Sequence, residues 1–168
     1  MRKALKAIRR QYEDGSIAVE TALVLPILVL FLGLPSIVLA FYFRQYSAAQ
    51  KAAHDAALYL STAPIVEFTT PGSDGQFAAL TVAKRIIAQE MAGVVPDEVS
   101  VDPYITCQYR IGTTLKGNAC TPQLFKNDAS PLARFDVAIN LPFINPLTGQ
   151  PIASMSINPI PSMPYVGN

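Results

Sequence analysis

Residues 17–43 read IAVETALVLPILVLFLGLPSIVLAFYF, a run whose single charged residue is Glu20. As a helix this run extends about 40 Å, more than the roughly 30 Å of hydrocarbon in a bilayer requires. Its apolar residues are consecutive instead of spaced at core-forming intervals, so the run reads as a membrane span and not as the interior of a domain. A secretory signal peptide is the competing reading, because Val38-Leu39-Ala40 mimics a peptidase site. The apolar stretch is too long for that class, and no polar region precedes the supposed cut.

Ahead of the span lie Arg2, Lys3, Lys6, Arg9 and Arg10, whereas Lys and Arg are sparse just after it. The positive-inside rule therefore keeps this leader in the cytoplasm and exports the chain beyond the span. From Arg44 onward there are eight Lys or Arg and nine Asp or Glu, so the exported part lacks the cationic excess of a nucleic-acid-binding surface. That part comprises roughly 125 residues, enough for one small domain.

Beyond Arg44 the pattern stays helical. Ala48, Ala52 and Ala56, with Ala49, Ala53 and Ala57 beside them, recur every fourth residue and stack small side chains along one flank. Such a flank admits a close backbone neighbour; equally, alanine simply favours helix. Pro64 is expected to end the helix, giving a segment from about Ser16 to Thr62, roughly 70 Å if unbroken, with Pro26 and Pro35 as candidate kinks. After a turn-rich linker at Thr69–Gln76, Ser73 or Asp74 is the expected N-cap of a second helix running to about Ala92. Phe77, Leu80, Ala83, Ile87 and Met91 fall on its apolar side, which should cover a sheet. Strand candidates are Val99 with Val101, then Ile105, Cys107, Tyr109 and Ile111 in alternation, then Phe135, Val137, Ile139 and Leu141. The six prolines from Pro142 onward predict an extended tail with at most an edge strand near Ile152–Ile157.

Cys107 and Cys120 bracket a Gly- and Lys-containing stretch in the exported part, where a disulfide is permitted, and we expect a bridge across a hairpin or loop. With the lone His54 they cannot fill the four positions of a structural zinc site, so no metal or cofactor is expected. No catalytic constellation is found. His54 is the only histidine and reads as solvated or packing, its neighbour Asp55 pointing to a different part of the helix. Gly112 and Gly117 have the spacing of a phosphate loop, but Asn118-Ala119 stands where Lys and Ser/Thr are required, and the stretch is read as a plain loop. Asp97-Glu98 beside Pro96 reads as a solvated turn.

The junction Tyr12-Glu13-Asp14-Gly15-Ser16-Ile17-Ala18-Val19-Glu20-Thr21-Ala22-Leu23 joins a basic leader ending in glycine to an apolar helix with a glutamate in its first turns. It resembles the processing site of type IV prepilins. Extended through Val24-Leu25-Pro26, Arg44-Gln45 and Ala52-Ala53-His54-Asp55-Ala56-Ala57, it is similar to the TadE-like family of pseudopilins of tight-adherence (Flp) pilus systems. One departure is Thr21, at a position that is often aromatic in such substrates. The resemblance implies that a prepilin peptidase cuts after Gly15 and leaves Ser16 as the new N-terminus. It also implies a partner for Glu20. A carboxylate in an apolar span costs about 2.5–3.5 kcal/mol at the helix centre and less near an interface, and the α-amino group of Ser16, in the same or a neighbouring subunit, would compensate it.

These readings predict an α+β protein: leader 1–15, transmembrane helix 16–43, exported helical continuation 44–63, and a small antiparallel-sheet head with one covering helix at 64–168. The expected function is that of a non-enzymatic minor pseudopilin or pilus-assembly component in the bacterial inner membrane, single-pass, with the head periplasmic or extracellular, or carried in the pilus itself. Its partners would be a prepilin peptidase, other pilins and the membrane, with no nucleic acid and no small-molecule substrate. An unprocessed, anchored periplasmic binding or adaptor protein is the alternative. The cysteine expectation is directly checkable: alkylation of the unreduced, exported protein should label neither Cys107 nor Cys120, and quantitative labelling of both would show that the loop is held by packing alone.

Overall fold

The computed structural model describes residues 18–72, 75–96, 99, 101–120 and 132–167. Gly15, Ser16, Ser73, Asp74, Asp97 and Glu98 lie outside the described residues. The architecture is α+β, and the chain divides into two compact units, one up to Phe41 and one from Tyr42.

Helix α1 runs from Ala18 to Thr62. In the first unit it is π-helical over Val29–Gly33, between Pro26 and Pro35. Pro35 has no N–H to donate, and its ring crowds the carbonyl four residues back, at Phe31. A π turn at that place re-spaces the hydrogen bonds instead of breaking the helix. The hydroxyls in this apolar stretch bond to their own helix, Thr21 Oγ1 to the Ala18 carbonyl at 3.2 Å and Ser36 Oγ to that of Leu32 at 2.5 Å.

In the second unit, α1 becomes the core. Ala49, Ala52, Ala53, Ala56, Ala57 and Leu60 have no exposed surface. Of the two readings of the alanine flank, close packing is therefore the one realised, and the neighbour is the rest of the head. Gln45 is also buried, and it serves as a backbone partner: Nε2 donates to the Ile144 carbonyl at 2.9 Å, and the Ile144 N–H donates to Oε1 at 3.1 Å. Helix α1 stops at Thr62 because Pro64 is extended (φ −66°, ψ 147°). Its last carbonyls are satisfied from far along the chain. The N–H groups of Val166 and Gly167 donate to Ser61 O at 2.8 and 3.1 Å, and Tyr165 Oη donates to Ala63 O at 3.1 Å.

A 3-10 turn at Ile65–Phe68 places Phe68 in an aromatic cluster, stacked on Phe135 at 5.2 Å and edge-on to Phe77 and Tyr165 at 6.5 and 6.0 Å. Tyr59 Oη donates to Glu67 at 2.5 Å; burial, reinforced by this bond, pushes the hydroxyl up to about 12, so it remains a donor at neutral pH. Helix α2 is Ala78–Met91, with Ala79, Leu80, Ala83, Ile87 and Met91 buried along the expected side. It begins later than the linker composition suggests. Phe77 is its N-cap without a side-chain bond, because Pro71 and Phe77 bridge across a turn closed by Gly72 N–H to Gln76 O at 2.6 Å.

The first sheet has the antiparallel order β2-β1-β3-β6, with β1 Tyr104–Ile111, β2 Thr114–Ala119, β3 Leu132–Ala138 and β6 Ser162–Pro164. The second pairs β4 Leu141–Ile144 with β5 Pro151–Ile157. Four expectations need correction. Val99 and Val101 form no strand, since a stretch this short between Pro96 and Pro103 offers too few donors for a ladder. The run from Phe135 to Leu141 divides, with β3 ending at Ala138 and Leu141 opening β4. Residues 112–117 are not a plain loop: Gly112 (φ +63°) and Thr113, which does not have a positive φ, make the two-residue turn of a hairpin, and Leu115, Lys116 and Gly117 lie in β2. Finally, the proline-rich tail supplies three strands. Proline loses its N–H but keeps its carbonyl, and Pro159 and Pro161 accept from Ile139 and Val137 at 3.2 and 3.1 Å. Cys107 in β1 and Cys120 just past β2 are bonded with their Cα atoms 5.1 Å apart, fastening the exposed edge strand.

Two variants measure what fixes α1 in the head. A Cβ on Gly167 would lie 2.5 Å from Ala63 O and 2.7 Å from the Tyr165 ring, so Gly167→Ala should destabilise the head by about 1–3 kcal/mol. Gln45→Ala leaves both buried polar groups of Ile144 without that partner and should cost about 1–3 kcal/mol. Thermal unfolding of the detergent-solubilised chain, followed by circular dichroism, checks both; unchanged midpoints would show that these contacts contribute nothing.

Candidate functional site

The sequence points to the start of α1. Glu20 lies in the first described turns of the helix, exposed, with Leu23 and Val24 on the adjoining turn 63% and 53% exposed. Among the described residues no hydrogen bond or ion pair reaches its carboxylate. The carboxylate stands exposed, open to a cation from outside this helix. Gly15 and Ser16, where the cut is expected, lie outside the described residues.

Around and beyond Glu20 the helix surface is apolar. Leu25, Leu28, Leu30, Phe31, Leu32 and Leu39 are each half exposed or more. The helix is long and apolar enough to cross a membrane, and its most apolar 18-residue window is nowhere buried. A monomeric protein does not leave so large an apolar surface to water.

Where the apolar run ends, the side chains change character. Tyr42 stacks with Tyr46 at 6.3 Å and meets the ring of Phe143 edge-on at 5.5 Å. Arg44, exposed, is the first cation after the run. What sequence reasoning overlooks is the role of Gln45 as the anchor of β4. A signal for it exists, since Gln45 continues the i, i+4 line of Ala49, Ala53 and Ala57 toward the start of the head and so sits on the buried flank.

Farther along α1, Lys51 bridges Asp55 at 3.3 Å and Glu90 of α2. The hydrogen bond to Glu90, followed by that to Asp55, holds the Lys51 ammonium above its ordinary value. His54 Nδ1 lies 3.5 Å from Asp55 Oδ1, so the two side chains lean together, against the expectation that they point apart, yet the histidine is half exposed and reads as solvated. Cys107 in β1 and Cys120 just past β2, 5.1 Å apart at Cα, are far from these groups in sequence. Among the described residues no group of three or more His, Cys, Asp or Glu is placed to hold a metal ion.

No curated protein and no solved structure is significantly similar to this chain. A family model does match its N-terminal part: residues 15–58, which take in the Gly15–Ser16 junction, Glu20, the apolar helix and most of the buried alanine flank, match the family described as TadE-like protein, the family that these residues resemble.

Proposed function

We propose that this protein is a minor pseudopilin or assembly component of a tight-adherence (Flp-type IV) pilus system, trimmed by a prepilin peptidase after Gly15. The observation that carries the reading is the TadE-like match, which starts at Gly15 and runs through the whole apolar helix. In this reading the basic leader 1–15 stays cytoplasmic, residues 16–43 cross the inner membrane, and the exported helical segment 44–63 holds the head, 64–168, on the far side. The role is assembly and not catalysis. The exposed apolar helix supplies the surface for packing beside other pilins or pseudopilins, and Glu20 supplies the charge.

Glu20 then acts after cleavage. Its carboxylate in an apolar environment is costly alone and favourable when paired. Removal of the leader creates an α-amino group at Ser16, four residues before Glu20 in the sequence, and in an assembled array the amine of one subunit neutralises the carboxylate of the same or the next. The charge makes assembly conditional on processing.

Mass spectrometry of the membrane-extracted chain should find Ser16 at the N-terminus; a chain still starting at Met1 would favour an unprocessed anchored adaptor. Gly15→Leu should leave the full-length chain in the membrane, and normal trimming of that variant would sink the assignment of the cut. Glu20→Gln keeps shape and hydrogen-bonding capacity but not charge, so insertion and cleavage should largely survive while recovery with other pilins falls sharply. If the cleaved and the co-purified fractions both stay at wild-type levels, Glu20 is a tolerated interfacial carboxylate; if cleavage itself collapses, it belongs to the peptidase signal.

A further inference from the structure

From Val137 to Asn168 the sequence has no Asp, Glu, Lys, Arg or His. This uncharged stretch contributes one partner to a long antiparallel pairing that runs through both sheets. Ala133 O accepts from Tyr165 N–H, Phe135 pairs with Met163, Val137 and Ile139 donate to Pro161 and Pro159, Leu141 pairs with Ile157, and Ile144 with Pro151. One end of this ladder is fixed beside Ser61 and Ala63, the other beside Gln45 and Tyr42. The ladder therefore descends along the head's part of α1, and the hairpin turn at 145–150 lies at the Tyr42 end of the head, the end to which the apolar run is covalently joined.

The turn is built and not slack. Asn145 O accepts from the N–H groups of Thr148 and Gly149 at 3.3 and 2.8 Å, Asn145 Oδ1 accepts from Leu147 N–H at 2.9 Å, and Gly149 takes φ +67°. At its tip Leu147 is 63% exposed. A single exposed leucine on a protein surface needs no explanation. This one is held outward by a closed hydrogen-bonded turn, on an uncharged hairpin, at the end of the head where Tyr42, Arg44 and Tyr46 follow an apolar run.

We propose that the β4–β5 hairpin tip is a second membrane contact: Leu147 and Pro146 enter the boundary between headgroups and acyl chains of the exported-side leaflet, seating the head on the bilayer. The occupant is lipid because the hairpin stands at the end of the head that the apolar run enters, lacks any charge that would have to be desolvated, and is accompanied there by tyrosines, which favour that boundary. This inference rests on the reading of α1 as a membrane span.

The protein has no tryptophan, so single substitutions provide clean reporters. Leu147→Trp, Leu115→Trp in the edge strand β2, and Leu30→Trp within the apolar run are each at exposed positions. The full chain is reconstituted into phosphatidylethanolamine and phosphatidylglycerol vesicles whose acyl chains carry bromine either near the headgroup or deep. Leu147→Trp should emit at shorter wavelength than Leu115→Trp and lose most of its intensity to the shallow bromines, and Leu30→Trp should lose its intensity to the deep ones. If Leu30→Trp is quenched while Leu147→Trp stays as bright as Leu115→Trp, the hairpin proposal is overturned and the span stands. A short-wavelength but unquenched Leu147→Trp identifies a protein occupant and overturns it equally. An unquenched Leu30→Trp overturns the span and the proposal together.

Discussion

A single helix has to satisfy two environments, and its side-chain size decides which part meets which. Up to Phe41 it carries large apolar side chains that stand exposed, and beyond Tyr42 the same helix presents alanines that vanish completely into the head. Alanine stabilises the helix at no side-chain entropy cost and leaves room for the neighbouring chain to approach. Everything in the head is arranged along that small flank. Gln45 bonds the edge of β4 at one end of it, Ser61 and Ala63 receive residues 165–167 at the other, and the Phe68 cluster fills the space beside them.

The hydrogen bonds at the two ends solve different problems. At the Gln45 end a strand edge would otherwise leave buried backbone groups unmatched, and one side-chain amide, being both donor and acceptor, answers an N–H and a C=O at once. At the Thr62 end the helix itself leaves carbonyls over, and the tail delivers donors to them. A lone carboxamide and a few backbone groups thus set the axial position of this part of α1 against the sheets, which packing of featureless alanines alone would leave free to slide.

Long, strongly patterned features are legible in the sequence: the apolar run, the helix stop at Pro64, the buried side of α2, and β1 with its alternating Ile105, Cys107 and Tyr109. The elements that stay hidden lack periodicity. Strand β2 is exposed on both faces, so no alternation announces it, and its existence follows from Gly112 and from the partner strand. The tail looks unpromising because prolines remove donors, yet a ladder also needs acceptors, and Pro159 and Pro161 provide them. Of the candidate site, which is read from the junction where charge, glycine and apolar pattern change within a few positions, only Glu20 lies among the described residues. Gln45 enters the sequence reading only through the Arg44-Gln45 resemblance, and its burial is signalled by its line with Ala49 and Ala53.

The bonds that fasten α1 in the head join residues very far apart in the chain: Gln45 to Ile144 across 99 positions and Ala63 to Tyr165 across 102. Loops of that size close slowly, since the entropy of bringing their ends together is lost before any contact compensates it. A chain delivered helix first would therefore leave the Gln45 and Ala63 ends of the flank without these partners for the time that the next hundred or so residues take to arrive. During that interval a helix whose small-residue face is uncovered is a natural client for any protein able to lie against it. The order of the elements thus sets a timetable: the helix on which the head is built comes first, and the bonds that fix its two ends come last.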